Sequence, residues 1–267
     1  MSETIRYSCA LVTGASSGIG EQFALQLAPR VNRLILVARR ETRLQELTDR
    51  IRNLYPDTGV SIFVTDLTVP AERELLISAL ADQGLAPDLL VNNAGMGDFG
   101  EFSTAAWTKL EAMIRLNMEA LTHLTHSLVP QMIRGGRGAV INVSSLASLL
   151  PLPDFAVYAA TKAYVTSFSD ALRMELRDHH IPVLAVCPGP VHTEFGEVAK
   201  RGSQGRNIPG RESFYVPSEQ VVAESLAALD QDRARVFPSL KVAAAAVAIS
   251  LMPLVLLRAA MAFRPKG

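Results

Sequence analysis

The sequence predicts a single α/β domain built on a doubly wound parallel sheet with helices on both faces. Six short apolar runs, rich in Val, Ile and Leu, are typical of strands that are buried on both sides. Helical patterns separate the runs, and this alternation favours a parallel sheet. No linker or internal repeat interrupts the 267 residues, a length that suits one large domain.

Composition excludes several classes of protein. Hydrophobic residues make up 49% and charged residues 19%, so a sizeable core is available. Lys+Arg and Asp+Glu number 26 each, and a net charge near zero argues against nucleic-acid binding. Cys9 and Cys187 lie in apolar runs and are interpreted as reduced core residues of a cytoplasmic protein. No metal-ligand spacing or apolar signal-peptide core is present, so we expect neither a metal site nor secretion.

The first strand, over residues 9–12, ends in a glycine-rich turn that leads into a helix. The turn covers residues 13–20, and its spacing is G-x-x-x-G-x-G rather than that of a P-loop. Glycine lets the backbone turn sharply and approach a ligand closely. The N-terminus of the following helix offers free N–H groups to a phosphate. The turn therefore predicts a dinucleotide site, the alternative being a tight turn with no ligand.

The second strand, over residues 34–37, ends at Ala38-Arg39-Arg40. Nucleotide-binding sheets that select NAD(H) carry an acidic residue here, which holds the ribose 2′-hydroxyl. Arg39 would instead attract a 2′-phosphate, so this position favours NADP(H) over NAD(H). The alternative is that both arginines only solubilise the start of the helix that runs to about residue 53.

Polar groups follow the next two strands as well. Asp66 comes after the strand at residues 60–64, and it could accept a hydrogen bond from an adenine amino group. It could also cap the helix that starts near Val69 and ends near Gln83. The strand at residues 89–91 ends in Asn-Asn-Ala-Gly, which combines small residues for a passing cofactor with amides that can tie strands together.

A long helical segment is predicted over residues 104–134, and Asn117 lies among its apolar positions. Helix propensity disfavours asparagine in mid-helix, so a buried partner for its side chain is expected. The strand at residues 139–143 follows. Ser145 comes directly after that strand, at the edge where an open parallel sheet places ligand-contacting groups.

Tyr158 and Lys162 are four residues apart on a helix that is predicted to reach about His179. At this spacing the two side chains share one helix face. A lysine ammonium beside a tyrosine favours the phenolate and lowers the phenol pKa. The pair therefore predicts a proton donor and acceptor, although an exposed helix pair without function has the same spacing.

The last third of the chain adds a sixth strand at residues 182–186, a helix over 217–229 and a short strand at 236–237. Residues 194–216 have no clear period and are predicted to form a mobile lid over the substrate. We expect residues 1–240 to form the dinucleotide-binding and catalytic domain, and residues 241–267 an apolar helical tail.

In the tail, residues 242–263 are apolar except for Arg258, and Pro253 interrupts them. The length could just span a bilayer, but the proline kink and Arg258 argue against a spanning helix. Two short helices that pack on the protein or on a partner subunit are favoured. Attachment of residues 242–263 to a membrane surface is the alternative.

Together, these motifs resemble the short-chain dehydrogenase/reductase family. They are the glycine-rich turn, Asn-Asn-Ala-Gly at 92–95, Asn117, Ser145, Tyr158-x-x-x-Lys162 and Pro-Gly-x-Val-x-Thr at 188–193. Their order and spacing match over about residues 8–240. The resemblance implies a Rossmann-like fold and hydride transfer between a nicotinamide, here NADP(H), and a carbonyl or secondary alcohol.

The resemblance also implies a role for each matching residue. Tyr158 would be the general acid in reduction and the general base in oxidation. Lys162 would lower its pKa and hold the nicotinamide ribose. Ser145 would position the substrate oxygen, and Asn117 would anchor a water that relays a proton from Lys162. The residues implied to contact the cofactor are Gly14, Ser16, Ser17, Gly18, Ile19, Gly20, Arg39, Asp66, Leu67, Asn93, Ala94, Gly95, Tyr158, Lys162, Pro188, Gly189, Val191 and Thr193.

The expected substrate is a lipophilic small molecule, because the residues around Ser145 and Tyr158 in the motifs are apolar. This wall comprises Met96, Phe99, Leu146, Leu149, Leu152, Phe155, Pro190 and Phe195. Two substrate classes stay open: keto groups of acyl chains, and carbonyls of hydroxysteroids, retinoids or xenobiotics. A catalytically silent nucleotide-binding or interaction protein of the same fold is the second hypothesis. Family members commonly pair their long helices, so a homodimer or homotetramer is expected.

Overall fold

The computed structural model describes residues 7–201 and 214–262 of the chain. The described residues contain the parallel strands β1 (Tyr7–Thr13), β2 (Val31–Ala38), β3 (Gly59–Val64), β4 (Leu89–Asn92), β5 (Ala139–Val143), β6 (Val183–Val186) and β7 (Arg235–Val236). They form one sheet in the order β3-β2-β1-β4-β5-β6-β7. The chain winds outwards from β1 in one direction and from β4 in the other, which confirms the predicted doubly wound fold.

Helices cover both faces of this sheet. They are α1 (Gly18–Leu27), α2 (Glu41–Leu54), α3 (Pro70–Asp82), α4 (Trp107–Ile114), α5 (Leu121–Arg134), α6 (Ala156–Glu175), α7 (Phe195–Ala199), α8 (Ser218–Asp230), α9 (Leu240–Leu251) and α10 (Leu254–Ala262). A π-helical turn (Arg115–Ala120) joins α4 to α5, and a 3-10 turn (Leu146–Leu149) follows β5.

The central strands β4, β5 and β6 are buried along their whole length, which explains why they read as continuous apolar runs, whereas the edge strand β3 is only partly buried. In β1, Ala10 and Val12 belong to the core on one face, while Leu11 belongs to the core on the other. Leu27 and Leu226, from α1 and α8, complete the first of these cores. The carboxyl ends of β1 and β4 lie side by side, where ligands bind in sheets of this topology.

The segment predicted as one helix over residues 104–134 differs from that prediction. A 3-10 turn (Phe102–Thr104) precedes α4, and the π-helical turn interrupts the helix between α4 and α5. Asn117 lies inside the π-helical turn and is almost fully buried. Single π-helical turns accommodate an extra residue in a helix, and here the turn carries the one polar side chain predicted to need a partner.

The segment predicted as a lid, residues 194–216, is described only in part. Its beginning contains α7, and residues 202–213 lie outside the described residues. The described part is anchored to the loop after β4: Phe99 N donates to Ala199 O at 2.9 Å, and the Arg201 guanidinium bonds both Asp98 carboxylate oxygens. Mobility of the whole segment stays a prediction.

The apolar tail consists of α9 and α10, which are separated at Met252 and Pro253. One face of α9 packs on the protein itself, as the sequence favoured. Val242 and Ala246 are buried there, and α9 contacts the Leu146–Leu149 turn. None of the described helices is both long and apolar enough to cross a membrane.

Candidate active site

The glycine-rich turn between β1 and α1 has a shape that larger residues would not reproduce. Gly14 has φ +65°, in the left-handed region that favours glycine. A Cβ on Gly20 would overlap the carbonyl oxygen of Gly14 and lie 2.5 Å from Asn93 Nδ2. The Ser17 side chain does not cap α1, so the N–H groups of the first helical turn stay available for an anion.

Thr13 and Asn93 fasten this turn to the neighbouring strand β4. Asn93 Nδ2 donates to Thr13 O at 2.9 Å, and Thr13 Oγ1 accepts from the backbone N–H groups of Asn93 and Ala94 at 3.0 Å each. The amides predicted to tie strands together do so. Asn92 Nδ2 likewise bonds Asn142 Oδ1 on β5 at 2.9 Å.

A cleft of about 300 Å³ opens along the carboxyl ends of the strands. It is lined by most of the residues predicted to contact a dinucleotide, together with two predicted substrate residues. These are Gly14, Ser16, Ser17, Gly18, Ile19, Arg39, Asp66, Leu67, Asn93, Ala94, Gly95 and Thr193, with Met96 and Phe195. Residues distant in sequence therefore form one continuous surface.

Arg39 and Asp66 face each other at the end of the cleft beside β2 and β3. Arg39 Nη1 lies 3.7 Å from Asp66 Oδ2. Asp66 Oδ1 accepts from Thr68 N at 2.9 Å and from Thr68 Oγ1 at 2.7 Å. Burial opposes ionisation of Asp66, but the Thr68 hydrogen bonds and the Arg39 charge hold its pKa below the usual range. One oxygen thus orders the turn before α3, and the other faces Arg39.

Arg40, which the sequence left open between two interpretations, spans the mouth of the cleft. Its guanidinium donates to Ser16 Oγ at 3.1 Å, to Ser17 Oγ at 2.8 Å and to Glu194 Oε2 at 2.7 Å. The hydrogen bond from Arg40 holds the pKa of Glu194 below its usual range. Arg40 therefore connects the glycine-rich turn to the segment that leads into α7, and does more than solubilise α2.

Asn117 has the buried partners that were predicted for it. Its Nδ2 donates to Met96 O at 2.9 Å and to Thr161 Oγ1 at 3.0 Å, and its Oδ1 accepts from Met96 N at 3.0 Å. Thr161 Oγ1 donates in turn to Tyr158 O at 2.8 Å. A chain of hydrogen bonds therefore links the loop after β4 to the first turn of α6.

The two adjacent serines after β5 have different surroundings. The Ser144 hydroxyl is buried, donates to Lys162 O at 2.8 Å and shares a hydrogen bond of 2.7 Å with Thr166. Ser144 therefore fixes α6 to β5. Ser145 is only partly buried, its Oγ accepts a hydrogen bond from Ala147 N at 3.1 Å, and it lies close enough to Tyr158 to lower the pKa of the phenol. The geometry thus agrees with the choice of Ser145 over Ser144.

Aromatic rings enclose Tyr158. The centroid of its ring lies 5.2 Å from that of Phe155 and 5.4 Å from that of Phe195, and Phe155 lies 5.0 Å from Phe99. Phe195 belongs to α7, so the segment predicted as a lid already reaches Tyr158. The three phenylalanines are members of the predicted apolar wall, and they shield part of the tyrosine ring from solvent.

The pKa of Tyr158 moves in the direction opposite to the prediction. Desolvation raises it to about 12, and the hydrogen bond with Ser145 only partly opposes this rise. Lys162 Nζ donates to Val143 O at 2.8 Å and lies 5.8 Å from the centre of the tyrosine ring. Desolvation also lowers the pKa of Lys162 to about 8. The predicted lowering of the tyrosine pKa is therefore not found in this structure, where burial is the dominant cause of the shift.

Comparison with known families identifies the chain. The family model described as short chain dehydrogenase matches residues 8–203. The chain belongs to the short-chain dehydrogenase family. As a member, it is an oxidoreductase.

Relatives of this short-chain dehydrogenase are named for different reactions. A very-long-chain 3-oxoacyl-CoA reductase-like protein of Arabidopsis thaliana is 34% identical over 229 residues, which are 83% of this chain and 69% of that protein. The NADP-dependent 3-hydroxy acid dehydrogenase YdfG of Escherichia coli is 34% identical over 203 residues, covering 73% of this chain and 78% of the relative. A solved short-chain dehydrogenase from Sphingobium yanoikuyae in complex with NADPH is 31% identical, has a TM-score of 0.80 and covers 97% of each chain.

The residues of this short-chain dehydrogenase fit a nicotinamide dinucleotide. The glycine-rich turn and the open N-terminus of α1 suit a pyrophosphate, and Arg39 with Arg40 suits a 2′-phosphate. Three histidine, cysteine or acidic side chains placed to hold a metal ion are not found together within residues 7–201 and 214–262.

Several predicted residues lie outside the cleft lining. They are Gly20, Pro188, Gly189, Val191, Phe99, Leu146, Leu149, Leu152, Phe155 and Pro190, together with the four predicted catalytic residues Asn117, Ser145, Tyr158 and Lys162. For Gly189 the reason is packing against the tail, because a Cβ there would lie 2.9 Å from Val242 Cγ2. Val191 instead forms a β-bridge with Val216. Tyr158 is shielded by Phe195.

Sequence reasoning missed Glu194 and the cluster behind α7. Asp98 is buried, and it pairs with Lys109 at 3.2 Å as well as with Arg201. Lys109 Nζ also donates to Val198 O at 3.2 Å. The one sequence signal for this cluster was an acid, Asp98, in an otherwise glycine-rich and apolar stretch, because its partners are distant in sequence.

Proposed function

We propose that the protein is an NADP(H)-dependent oxidoreductase that acts on the carbonyl or secondary alcohol of a lipophilic small molecule. The observation that carries the proposal is the packing of Phe155 and Phe195 around Tyr158, with the Ser145 hydroxyl close enough to lower the pKa of the phenol. An apolar wall around one donor and one hydroxyl suits a ketone in an otherwise apolar molecule.

The raised pKa suits Tyr158 for the reductive direction. The phenol keeps its proton at neutral pH and can give it to a carbonyl oxygen that is becoming an alkoxide, which is far more basic. The Ser145 hydroxyl would position that oxygen. NADPH, when bound, supplies the hydride. In oxidation Tyr158 would first have to lose its proton, so we expect alcohol oxidation to increase as the pH rises towards 12.

Lys162 and Asn117 would support Tyr158 from the buried side. With a pKa of about 8, most Lys162 side chains are charged at pH 7. Both hydrogens of Asn117 Nδ2 are in use, while Oδ1 accepts one bond and keeps one acceptor position. A Cβ placed on Gly95 would lie 3.4 Å from both Asn117 Oδ1 and Lys162 Nζ, so these two atoms border the same space. This geometry supports the water-mediated relay that the family resemblance implies.

NADP(H) is favoured over NAD(H) by Arg39 and Arg40, and by the relatives that are NADP-dependent or bound to NADPH. The substrate class is supported by the aromatic wall. The Arabidopsis relative is named for a keto group on an acyl chain, and an alcohol dehydrogenase of Comamonas testosteroni, 26% identical with a TM-score of 0.77, is named for bulky-bulky ketones.

The test is to follow NADPH oxidation with a panel of matched ketones of increasing apolar size. We expect kcat/KM to rise with apolar size and to exceed the value for small polar ketones. A contrary result is a protein that binds NADPH tightly but reduces no ketone or aldehyde, and whose rate of NADPH oxidation is the same in Tyr158→Phe. This result would favour the catalytically silent nucleotide-binding protein.

We also propose a homodimer or homotetramer. The exposed apolar side chains Phe102, Trp107 and Met174 lie on or beside α4 and α6, the helices predicted to pair. Light scattering at micromolar concentration tests this proposal, and a monomeric mass contradicts it.

A further inference from the structure

Helix α9 of the tail has a second apolar face, which does not pack on the protein. The face of α9 that carries Val242 and Ala246 is buried against the protein. The opposite face is also apolar, with Leu240 and Val247 seven residues apart and Leu251 four residues further on. This spacing puts all three on one stripe of the helix. A helix that is apolar on both sides is typical of a helix that is covered on both sides.

This second face is among the most exposed apolar surfaces in the described part of the chain. Leu240 is 91% exposed and Leu251 78%, and on α10 Val255 is 75% exposed. Six of the fifteen large apolar side chains that are exposed in the described residues lie between 240 and 256. Clustered exposure of this kind marks an interaction site rather than scattered surface residues.

The charges of the tail indicate what covers it. From residue 240 to residue 267 the sequence has no Asp or Glu, but it has Lys241, Arg258, Arg264 and Lys266. The whole chain has equal numbers of acidic and basic residues, so this bias is local. A protein partner would have to supply acids for Arg258, Arg264 and Lys266, whereas an anionic lipid surface offers apolar chains and negative headgroups together.

The position of the tail fits the same occupant. α9 contacts the Leu146–Leu149 turn, which directly follows Ser145, and Val242 packs on Gly189 after β6. The exposed stripe is therefore carried next to the substrate end of the catalytic domain. The break at Met252 and Pro253 gives two short helices, which suit binding in the plane of a membrane rather than across it.

We propose that α9 and α10 attach the enzyme peripherally to membranes that contain anionic lipids, with Leu240, Val247, Leu251 and Val255 entering the headgroup region. The attachment itself is independent of the proposed function. The proposed function matters only for the advantage of attachment: a lipophilic ketone is concentrated in the bilayer, and attachment would place the substrate entrance beside it.

The test measures vesicle binding without turnover. The full chain is sedimented with vesicles of phosphatidylcholine alone and with vesicles that also contain phosphatidylglycerol. We expect the fraction bound to be several-fold higher with the anionic lipid and to fall with added salt. The variant Val247→Glu with Leu251→Glu should lose about tenfold or more of this binding.

The matched control is Leu75→Glu on α3, where the side chain is 68% exposed but lies outside the tail. It should bind vesicles like the wild type. Reduction of a water-soluble ketone should be unchanged in both variants, which shows that they fold and separates this proposal from the proposed function. The charge variant Arg258→Gln should weaken binding to the anionic vesicles only.

Two outcomes would overturn the proposal. One is a wild-type chain that does not sediment with either vesicle, and the other is a tail variant that sediments with anionic vesicles like the wild type. In the first case, a change in the molecular mass of the tail variant by light scattering would assign the stripe to a second copy of the chain.

Discussion

The two ends of the active site differ in how far their charged and titratable side chains are exposed to solvent. At the cofactor end, Arg39, Arg40 and Glu194 are well exposed, and their ion pairs are accessible to water and salt. At the catalytic end, Tyr158 and Lys162 are desolvated, and both have strongly shifted pKa values. Charges in water interact weakly and can exchange partners, whereas a buried proton donor changes its chemistry strongly. We therefore expect substitutions at the buried end to have large effects and those at the exposed end to have graded, salt-dependent effects.

The largest effect is expected at Tyr158. Tyr158→Phe removes the phenol but keeps the ring between Phe155 and Phe195, so kcat should fall about 10³-fold while NADPH binding is retained. Stopped-flow reduction and fluorescence titration of NADPH measure the two quantities separately. A variant that keeps most of the wild-type kcat would remove Tyr158 from the mechanism.

The second effect concerns the choice of cofactor. In the double variant Ala38→Asp with Arg39→Leu, the positive charge that attracts a 2′-phosphate is lost and a negative charge that repels it is added. The ratio of kcat/KM for NADPH to that for NADH should therefore fall by about 100-fold. The wild type should prefer NADPH. Equal kcat/KM for the two cofactors in the wild type would contradict the assignment of Arg39.

A third prediction uses pH to probe the buried end. The pKa of Lys162 is depressed from 10.5 to about 8, so between these values the unfolded chain binds the proton and the native protein does not. The free energy of unfolding of the wild type should therefore rise relative to Lys162→Met as the pH increases through this window. The relative rise should be on the order of 3 kcal/mol, from about 1.4 kcal/mol for each pH unit.

Urea denaturation of both proteins between pH 7 and pH 10.5 measures this difference. Using the difference removes the constant cost of leaving Val143 O without its lysine donor, because that cost is the same at every pH. Parallel pH profiles for the two proteins would show that Lys162 is not desolvated.

The comparison also explains what could be predicted from sequence. The strands and the residues at their carboxyl ends were predictable, since apolar runs and glycines report local backbone requirements. This is why Gly14, Asn93 and Ser145 were found. The direction of the Tyr158 pKa shift was not predictable, because it depends on Phe155 and Phe195 closing around the ring. Helix spacing places Lys162 near Tyr158 but does not report burial.

The π-helical turn and the contacts of Arg40 were missed for related reasons. A π-helical turn has no composition of its own, so residues 104–134 read as one helix. Arg40 meets Glu194 because the segment before α7 passes beside the glycine-rich turn, where Thr193 borders Gly18, and Arg40 and Glu194 are 154 positions apart. Contacts between exposed side chains at such a separation leave no periodic signal.

The smallest effect, and the sharpest test of the exposed end, is expected at Glu194. Its carboxylate takes up one side of the Arg40 guanidinium and lies 3.9 Å from Arg43, so it competes with a 2′-phosphate for the same positive charge. Glu194→Gln should lower the Kd of NADPH about three- to tenfold at low salt and leave the Kd of NADH unchanged. Added salt should reduce the gain, because both partners of the ion pair are about half exposed. Glu197→Gln on α7, which breaks only the exposed pair with Lys200, is the matched control and should not change either Kd. If Glu194→Gln instead weakens NADPH binding, the carboxylate orients Arg40 for the phosphate rather than competing with it.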